Sequence, residues 1–277
     1  DQTEEVYNQA DIQSRLKTKW VAHPLQFFDS IDSTNIRAKL EAEQGAESGL
    51  LVVSDMQSAG RGRRGRGWES PAGTNIYYTL MLKPDFSSDC APMLTLVMAL
   101  AVAKGIRQTL RRDSEEAAAK VGIKWPNDIV VDGKKVCGIL TEMSMEQGYI
   151  QHIVIGVGIN VRKQEFPEEI RDRAAAIDEQ CGFRISRSQL IADIMEAFEE
   201  DYEIFLRTHD LKGLRASYAE LLVNQDREVC VLDPKGEYRG IARGINDQGE
   251  LLVERQDGTV EEVYAGEVSV RGIYGYV

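Results

Sequence analysis

The chain has 277 residues, 43% of them hydrophobic, and a formal net charge of -12. That length accommodates one large domain and a small one with a sizeable core. The acidic balance argues against nonspecific nucleic-acid binding, although it leaves room for a local basic patch.

Residues 1–24 are polar, with sparse apolar positions at Val6, Ile12 and Leu16, and read as a linker carrying one short helix. The first residue is Asp1 rather than methionine, as expected of a trimmed chain with a domain upstream. Leu25 to Phe28 is a predicted strand, and Ser33-Thr34-Asn35 opens a helical stretch to about Gln44. Ser33 and Thr34 suit a helix N-cap, and hydroxyls and free N–H groups at a helix start also suit a small polar ligand. Leu50 to Ser54 is a strand leading into Gly60-Arg61-Gly62-Arg63-Arg64-Gly65-Arg66-Gly67-Trp68. Glycines let backbone N–H groups approach a ligand, and arginines add bidentate donors for phosphate or carboxylate. Gly60, Gly62 and Gly65 formally match the dinucleotide fingerprint, but that motif must open a helix, and Pro71 follows. An arginine-rich RNA-binding segment and a solvated disordered loop remain the other readings.

Asn75 to Leu82 alternates as a half-buried strand, and Ala91 to Leu110 is a helix apolar enough to lie against a sheet. In Val121-Gly122-Ile123-Lys124-Trp125-Pro126-Asn127-Asp128 a single lysine ends an apolar strand. Lys124 is either an edge-strand lysine facing water or a positive charge held beside an anionic substrate. Asp132-Gly133 makes a hairpin turn, Val136 to Glu142 returns, and Tyr149 to Gly156 is another strand. It ends in Gly156-Val157-Gly158-Ile159-Asn160, which reads as a glycine bend at the sheet rim or as a point of close ligand approach. Pro167 to Leu222 is helical in pattern, with a capping-box match at Ser186 and Gln189. From Asn224 short strands alternate with turns, a small antiparallel β barrel of about fifty residues. The four cysteines, Cys90, Cys137, Cys181 and Cys230, lie far apart and read as reduced thiols of a cytosolic protein rather than metal ligands. No apolar run reaches membrane-spanning length and no signal peptide is visible.

Four motifs then occur together: the arginine loop, the Lys124 to Asp128 block, Ser33-Thr34-Asn35, and Gly156 to Asn160. In their order and spacing along the chain they resemble the biotin protein ligases, also called biotin–[acetyl-CoA-carboxylase] ligases, from about Leu25 to the C-terminus. The resemblance implies an α+β fold, a mixed sheet flanked by helices related to class II tRNA synthetases, with a C-terminal SH3-like β barrel. It divides the chain into a linker (1–24), a catalytic domain (25–223) and the C-terminal domain (224–277). It implies attack of the biotin carboxylate on the α-phosphate of ATP, with Mg2+, giving biotinyl-5′-AMP. A lysine of a biotin carboxyl carrier protein domain, part of acetyl-CoA carboxylase or a related enzyme, then attacks the mixed anhydride. Ser33, Thr34, Asn35, Gln57, Arg61, Gly62, Arg63 and Lys124 are the biotin-site residues this implies. Arg61, Arg63, Trp68, Asn127, Asn160 and Arg271 fall on the ATP side, and Lys124 and Arg63 take the catalytic roles. In the family, sheet edges pair into a homodimer, and some members carry an N-terminal helix-turn-helix and repress biotin genes. The alternative is therefore a ligase that also binds DNA, through a domain outside this stretch. No membrane partner is expected.

Overall fold

The computed structural model describes residues 5–61, 70–265, 269–273 and 275–277. Seven strands form its main sheet: β1 (Leu25–Phe28), β2 (Leu51–Ser54), β3 (Asn75–Leu82), β4 (Val121–Lys124), β5 (Asp128–Val131), β6 (Lys134–Glu146) and β7 (Tyr149–Asn160). Their order is β1-β2-β3-β7-β6-β5-β4. Only β1 and β2 are parallel neighbours; the other adjacent pairs are antiparallel. A parallel pair needs a crossover, and the chain between β1 and β2 contains a helix at Thr34–Glu43.

The helices are α1 (Gln9–Arg15), α2 (Thr34–Glu43), α3 (Met93–Arg111), α4 (Glu115–Ala119), α5 (Ile177–Cys181), α6 (Arg187–Thr208) and α7 (Arg215–Leu221). The long helices α3 and α6 pack on each other and belong to the main apolar cluster, together with Val53, Ile76, Ile123, Ile129, Cys137 and Ile159 of the sheet. Against the expectation that no apolar run reaches membrane-spanning length, the segment Ser88–Arg111 is long and apolar enough to cross a membrane by length and composition. Here its apolar residues are consumed by packing, with Leu94, Met98, Val102 and Ile106 fully buried. The helix α2 covers part of the opposite sheet face, burying Ala38 and Ala42 on Leu50, Val52, Met81 and Val154.

Three further sequence expectations are corrected. Helix does not begin at Pro167: residues 167–176 are turns and a single bridge, and helix starts at Ile177. The capping box of α6 is half made. Ser186 Oγ accepts the Gln189 N–H at 3.1 Å, but Gln189 Oε1, the acceptor for the return bond, instead accepts from the Arg15 guanidinium at 3.0 Å. Finally, Gly156 to Asn160 is no bend at the rim but the last part of β7, paired with β3 throughout and with β6 as far as Ile159.

The C-terminal strands β8 (Glu228–Leu232), β9 (Tyr238–Ile245), β10 (Leu251–Glu254), β11 (Val260–Val263) and β12 (Ser269–Gly272) form an antiparallel sheet in the order β11-β10-β9-β8-β12. This fits the SH3-like expectation, with no ladder closing β11 onto β12 among the described residues. The sheet docks at the end of β4. Trp125, buried, donates its indole N–H to Gly249 O at 2.9 Å, and the Val223 N–H bonds Ile123 O.

Candidate active site

Alternation along the strands decides which side chains share the ligand face. Ile123, Ile129, Cys137, Ile159, Ile76 and Val53 all enter the main core. Their neighbours Lys124, Asp128, Gly138, Gly158, Tyr77 and Ser54 must therefore point to the other side. The register aligns them: Lys124 opposite Asp128, Gly138 opposite Gly158, Gly158 opposite Tyr77, and Tyr77 opposite Ser54. Four strand spacings separate Tyr77 from Lys124, on the order of 19 Å. The two glycines carry no side chain, so the middle of this row is bare backbone.

The N-terminus of α2 borders one end of the row. Ser33 is the N-cap, its hydroxyl accepting the Ile36 N–H at 3.5 Å. Gln57 Oε1 accepts from the Thr34 N–H at 2.8 Å and the Thr34 hydroxyl at 3.1 Å, while Gln57 Nε2 donates to Ser70 Oγ. The Thr79 hydroxyl lies 2.8 Å from Thr34 Oγ1 and 2.5 Å from Asn35 Oδ1, so its one proton serves one of them at a time. Asn35 Nδ2 donates to Glu142 Oε1 at 3.0 Å, and the Lys39 ammonium contacts the other carboxylate oxygen. Burial alone would raise the Glu142 carboxyl; the Lys39 ammonium and the Asn35 amide, helped by the charge of Arg61, hold it below the ordinary glutamate range. A Cβ at Gly156 would lie 2.2 Å from Asn35 Oδ1, so glycine is what lets α2 approach the sheet here. The result is a dry set of mostly neutral donors and acceptors: Ser33, Thr34 and Asn35 are each at most 9% exposed. Tyr77, also buried, has its phenol pushed up to about 12 by desolvation.

The other end of the row is charged. Lys124 Nζ sits 4.4 Å from the centre of the Tyr276 ring. Asp128 accepts from the Tyr276 hydroxyl at 2.6 Å and pairs with Lys135 at 3.2 Å. Burial would raise the Asp128 carboxyl, but Lys135, the Tyr276 hydroxyl and Lys124 bring it below the usual range. Asn127 is buried in the turn between β4 and β5. Among the described residues, no group of three or more His, Cys, Asp or Glu side chains forms a metal cage. Magnesium keeps most of its ligands as water and substrate phosphate oxygens, so such a site asks little of the protein.

The structure thus brings Ser33, Thr34, Asn35 and Gln57 together, and the charge of Arg61 reaches Glu142. It puts Lys124 and Asn160 on the same face as that group. Asn160, however, is 7% exposed and donates its amide to Ala175 O at 3.3 Å, so that amide is engaged within the fold. Arg271 lies on β12, exposed, with no side-chain hydrogen bond or ion pair among the described residues. Gly62, Arg63 and Trp68 lie outside the described residues.

Sequence reading missed Glu142, Lys39 and Thr79, whose only signal was polarity inside strands and a helix. It also missed a buried ion network beneath β3. Arg187 bonds Asp55 Oδ1 at 2.7 Å, Asn75 O at 2.8 Å and Glu5 Oε2 at 3.0 Å, and stacks 3.9 Å over the Tyr7 ring. Residues Glu5 and Arg187 are 182 positions apart, so no local pattern could pair them.

A mixed sheet with a polar, glycine-bared face and a charged end is the framework of a ligase that activates a carboxylate with ATP. The family model described as the Biotin/lipoate A/B protein ligase family matches residues 27–160, and that of the Biotin protein ligase C terminal domain matches residues 226–271. The chain is 36% identical over 267 residues to the bifunctional ligase/repressor BirA of Bacillus spizizenii, covering 95% of this chain and 79% of that protein. It is 30% identical to the biotin–[acetyl-CoA-carboxylase] ligase of Paracoccus denitrificans, covering 85% of this chain and 98% of that one. The solved structure of the biotin protein ligase from Aquifex aeolicus in complex with biotin and ATP superposes with a TM-score of 0.71 at 29% identity, covering 90% of this chain and 98% of that one. The chain belongs to the biotin protein ligase family. It is an ATP-dependent, AMP-forming ligase that takes biotin as substrate and ATP with Mg2+ as co-substrate, and works through biotinyl-5′-AMP.

Proposed function

We propose that the ligase unit spans residues 25–223, followed by the C-terminal domain at 224–277, and that the acceptor is a lysine of a biotin carboxyl carrier protein domain. In the first step the biotin carboxylate attacks the α-phosphate of ATP and pyrophosphate leaves. In the second, the carrier lysine attacks the anhydride carbonyl and AMP leaves. Ser33, Thr34, Asn35 and Gln57 receive the ureido head, because a neutral ring urea needs neutral donors and acceptors in a dry site. Lys124 stabilises charge growing on the attacked phosphoryl oxygens, a role that is mainly electrostatic. Arg61, Gly62 and Arg63 meet the carboxylate and phosphate, whose mutual repulsion needs screening. Trp68, Asn127, Asn160 and Arg271 serve the nucleotide. The free state of all four cysteines supports a cytoplasmic setting.

The observation that carries this reading is the Thr34–Gln57–Ser70 chain of hydrogen bonds, on the same sheet face as the glycine-bared strand backbone and Lys124. The test is ATP–pyrophosphate exchange with biotin or lipoate as the carboxylate. Exchange is expected with biotin alone; exchange with lipoate instead would sink the assignment of the neutral cluster. The repressor reading draws no support from the described residues.

A further inference from the structure

We propose that Asp55 and Arg187 are positioning residues for Gln57. Together they fix the spacing of the two chain segments, 55–57 and 70–75, that bring Gln57 against Ser70 and Thr34. The inference rests on the biotin-site role assigned above to Gln57.

The two segments are cross-linked in steps that lead away from the site. Gln57 donates its backbone N–H to Ser70 O at 3.1 Å and its side-chain Nε2 to Ser70 Oγ at 3.2 Å. One step further, Asp55 Oδ1 accepts the Gly73 N–H at 3.0 Å. The same Oδ1 accepts from Arg187 Nη1 at 2.7 Å, and Nη1 also donates to Asn75 O at 2.8 Å. Nη1 carries two protons, so each segment receives one. Gly73 has a φ of +76°, and a Cβ there would meet nothing within 4 Å. Glycine at this position therefore serves the backbone conformation rather than close packing, and that conformation presents the N–H to Asp55.

Arg187 comes from the first turn of α6, 132 positions from Asp55. It is held from its other side as well. Nε donates to Glu5 Oε2 at 3.0 Å, and the guanidinium carbon lies 3.9 Å from the centre of the Tyr7 ring. The whole side chain is buried. Taking ions out of water is costly enough that an apolar group of similar volume often serves stability as well or better. What an apolar group cannot do is hold two backbone segments at one separation through directed, charge-assisted hydrogen bonds. Fixed geometry at Gln57 is what this network adds to ordinary packing.

The experiment uses the full chain and measures biotin affinity by titration, single-turnover adenylation at saturating biotin, and the thermal midpoint. Asp55→Ala removes the shared acceptor. It should weaken biotin binding about 10-fold, the equivalent of one hydrogen bond at a charged group. Adenylation at saturating biotin should stay within about two-fold of wild type, since only ground-state binding is lost. Asp55→Asn keeps an acceptor between Gly73 and Arg187 and should recover most of the affinity. Arg187→Lys keeps the buried charge but not the fork, and should by itself weaken binding about as much as Asp55→Ala. Adding Asp55→Ala to Gln57→Ala should cost little further affinity, because the two act in series. Side chains that only stabilise the fold would lower the midpoint and leave the affinity of the folded protein unchanged. That result, or losses that multiply in the double variant, overturns the proposal. Gln57→Ala alone separates two failures. If it binds biotin as tightly as wild type, the reading of Gln57 is what failed; if it binds weakly while Asp55→Ala and Arg187→Lys bind normally, the positioning role is.

Discussion

The two faces of the seven-stranded sheet are built from the same strands, often from adjacent residues, and obey different rules. Ile123, Ile129, Cys137, Ile159 and Ile76 line one face and are wholly buried under α3 and α6. One residue along, Lys124, Asp128, Gly138, Gly158 and Tyr77 line the other. The first face is filled to exclude water, and any apolar residue of the right volume serves it. The second face is partly emptied by glycines and edged with polar groups. A one-residue slip of register would exchange the two sets, so the core face fixes where the chemistry stands.

The comparison breaks most sharply at Lys124. Lys124→Met should reduce single-turnover adenylation by about 10²–10³, the usual loss on removing one transition-state charge, with much less effect on biotin binding. A rate within a few-fold of wild type would return Lys124 to an ordinary edge-strand lysine.

Next comes the emptied part of the ligand face. Gly156→Ala drives a methyl group into Asn35; overpacking of this kind costs about 1–3 kcal/mol, and biotin affinity should fall with stability. Thermal unfolding and biotin titration read the two effects. Asn35→Ala in the same chain should recover stability but not affinity, and recovery of both would remove Asn35 from the biotin site.

Two carboxylates sharpen the contrast further. Glu199, on the core side, accepts the backbone N–H groups of Lys19, Trp20 and Val21 at 2.9–3.0 Å. Burial would raise it, but those three donors hold its carboxyl below the ordinary range. A depressed folded value means that its stabilisation is present above the unfolded glutamate value of about 4.3. That stabilisation is lost as pH falls through the lower folded value. Glu199→Gln should therefore lower stability at neutral pH by about 1.5 kcal/mol and flatten the acid limb of the stability curve. Adenylation per folded molecule should not change. The equivalent change on the ligand face, Glu142→Gln, should instead weaken biotin binding, since Glu142 orients Asn35.

The smallest expected effect lies on the core face itself. Ile155→Val, directly beside Gly156, should cost about 0.5–1.5 kcal/mol in stability and leave biotin affinity unaltered. A matching loss of affinity would mean that the two faces are not independent.

Much of this was legible in the residues. Alternation announced β3, the long apolar run announced α3, and Asp132-Gly133 announced the β5–β6 hairpin, because these depend on local period and turn chemistry. The site motifs were legible for a similar reason: Ser33-Thr34-Asn35 and Lys124 to Asp128 are contiguous, and contiguity survives folding. For Gly156 to Asn160 the residues leave open a bend or a point of close ligand approach, since glycine lowers strand propensity and strand pairing is a tertiary fact. The same holds for Glu142 beside Asn35, for Arg187 with Asp55 and Glu5, and for Tyr276 over Lys124. Each joins residues from distant parts of the chain, and each is decided by how helices, loops and strands pack together rather than by any neighbour in sequence. The sequence by itself determined most of the elements and the chemistry they carry; the tertiary packing decided which of those groups meet, because only strand register and the docking of helices and loops on the sheet turn separate side chains into one surface.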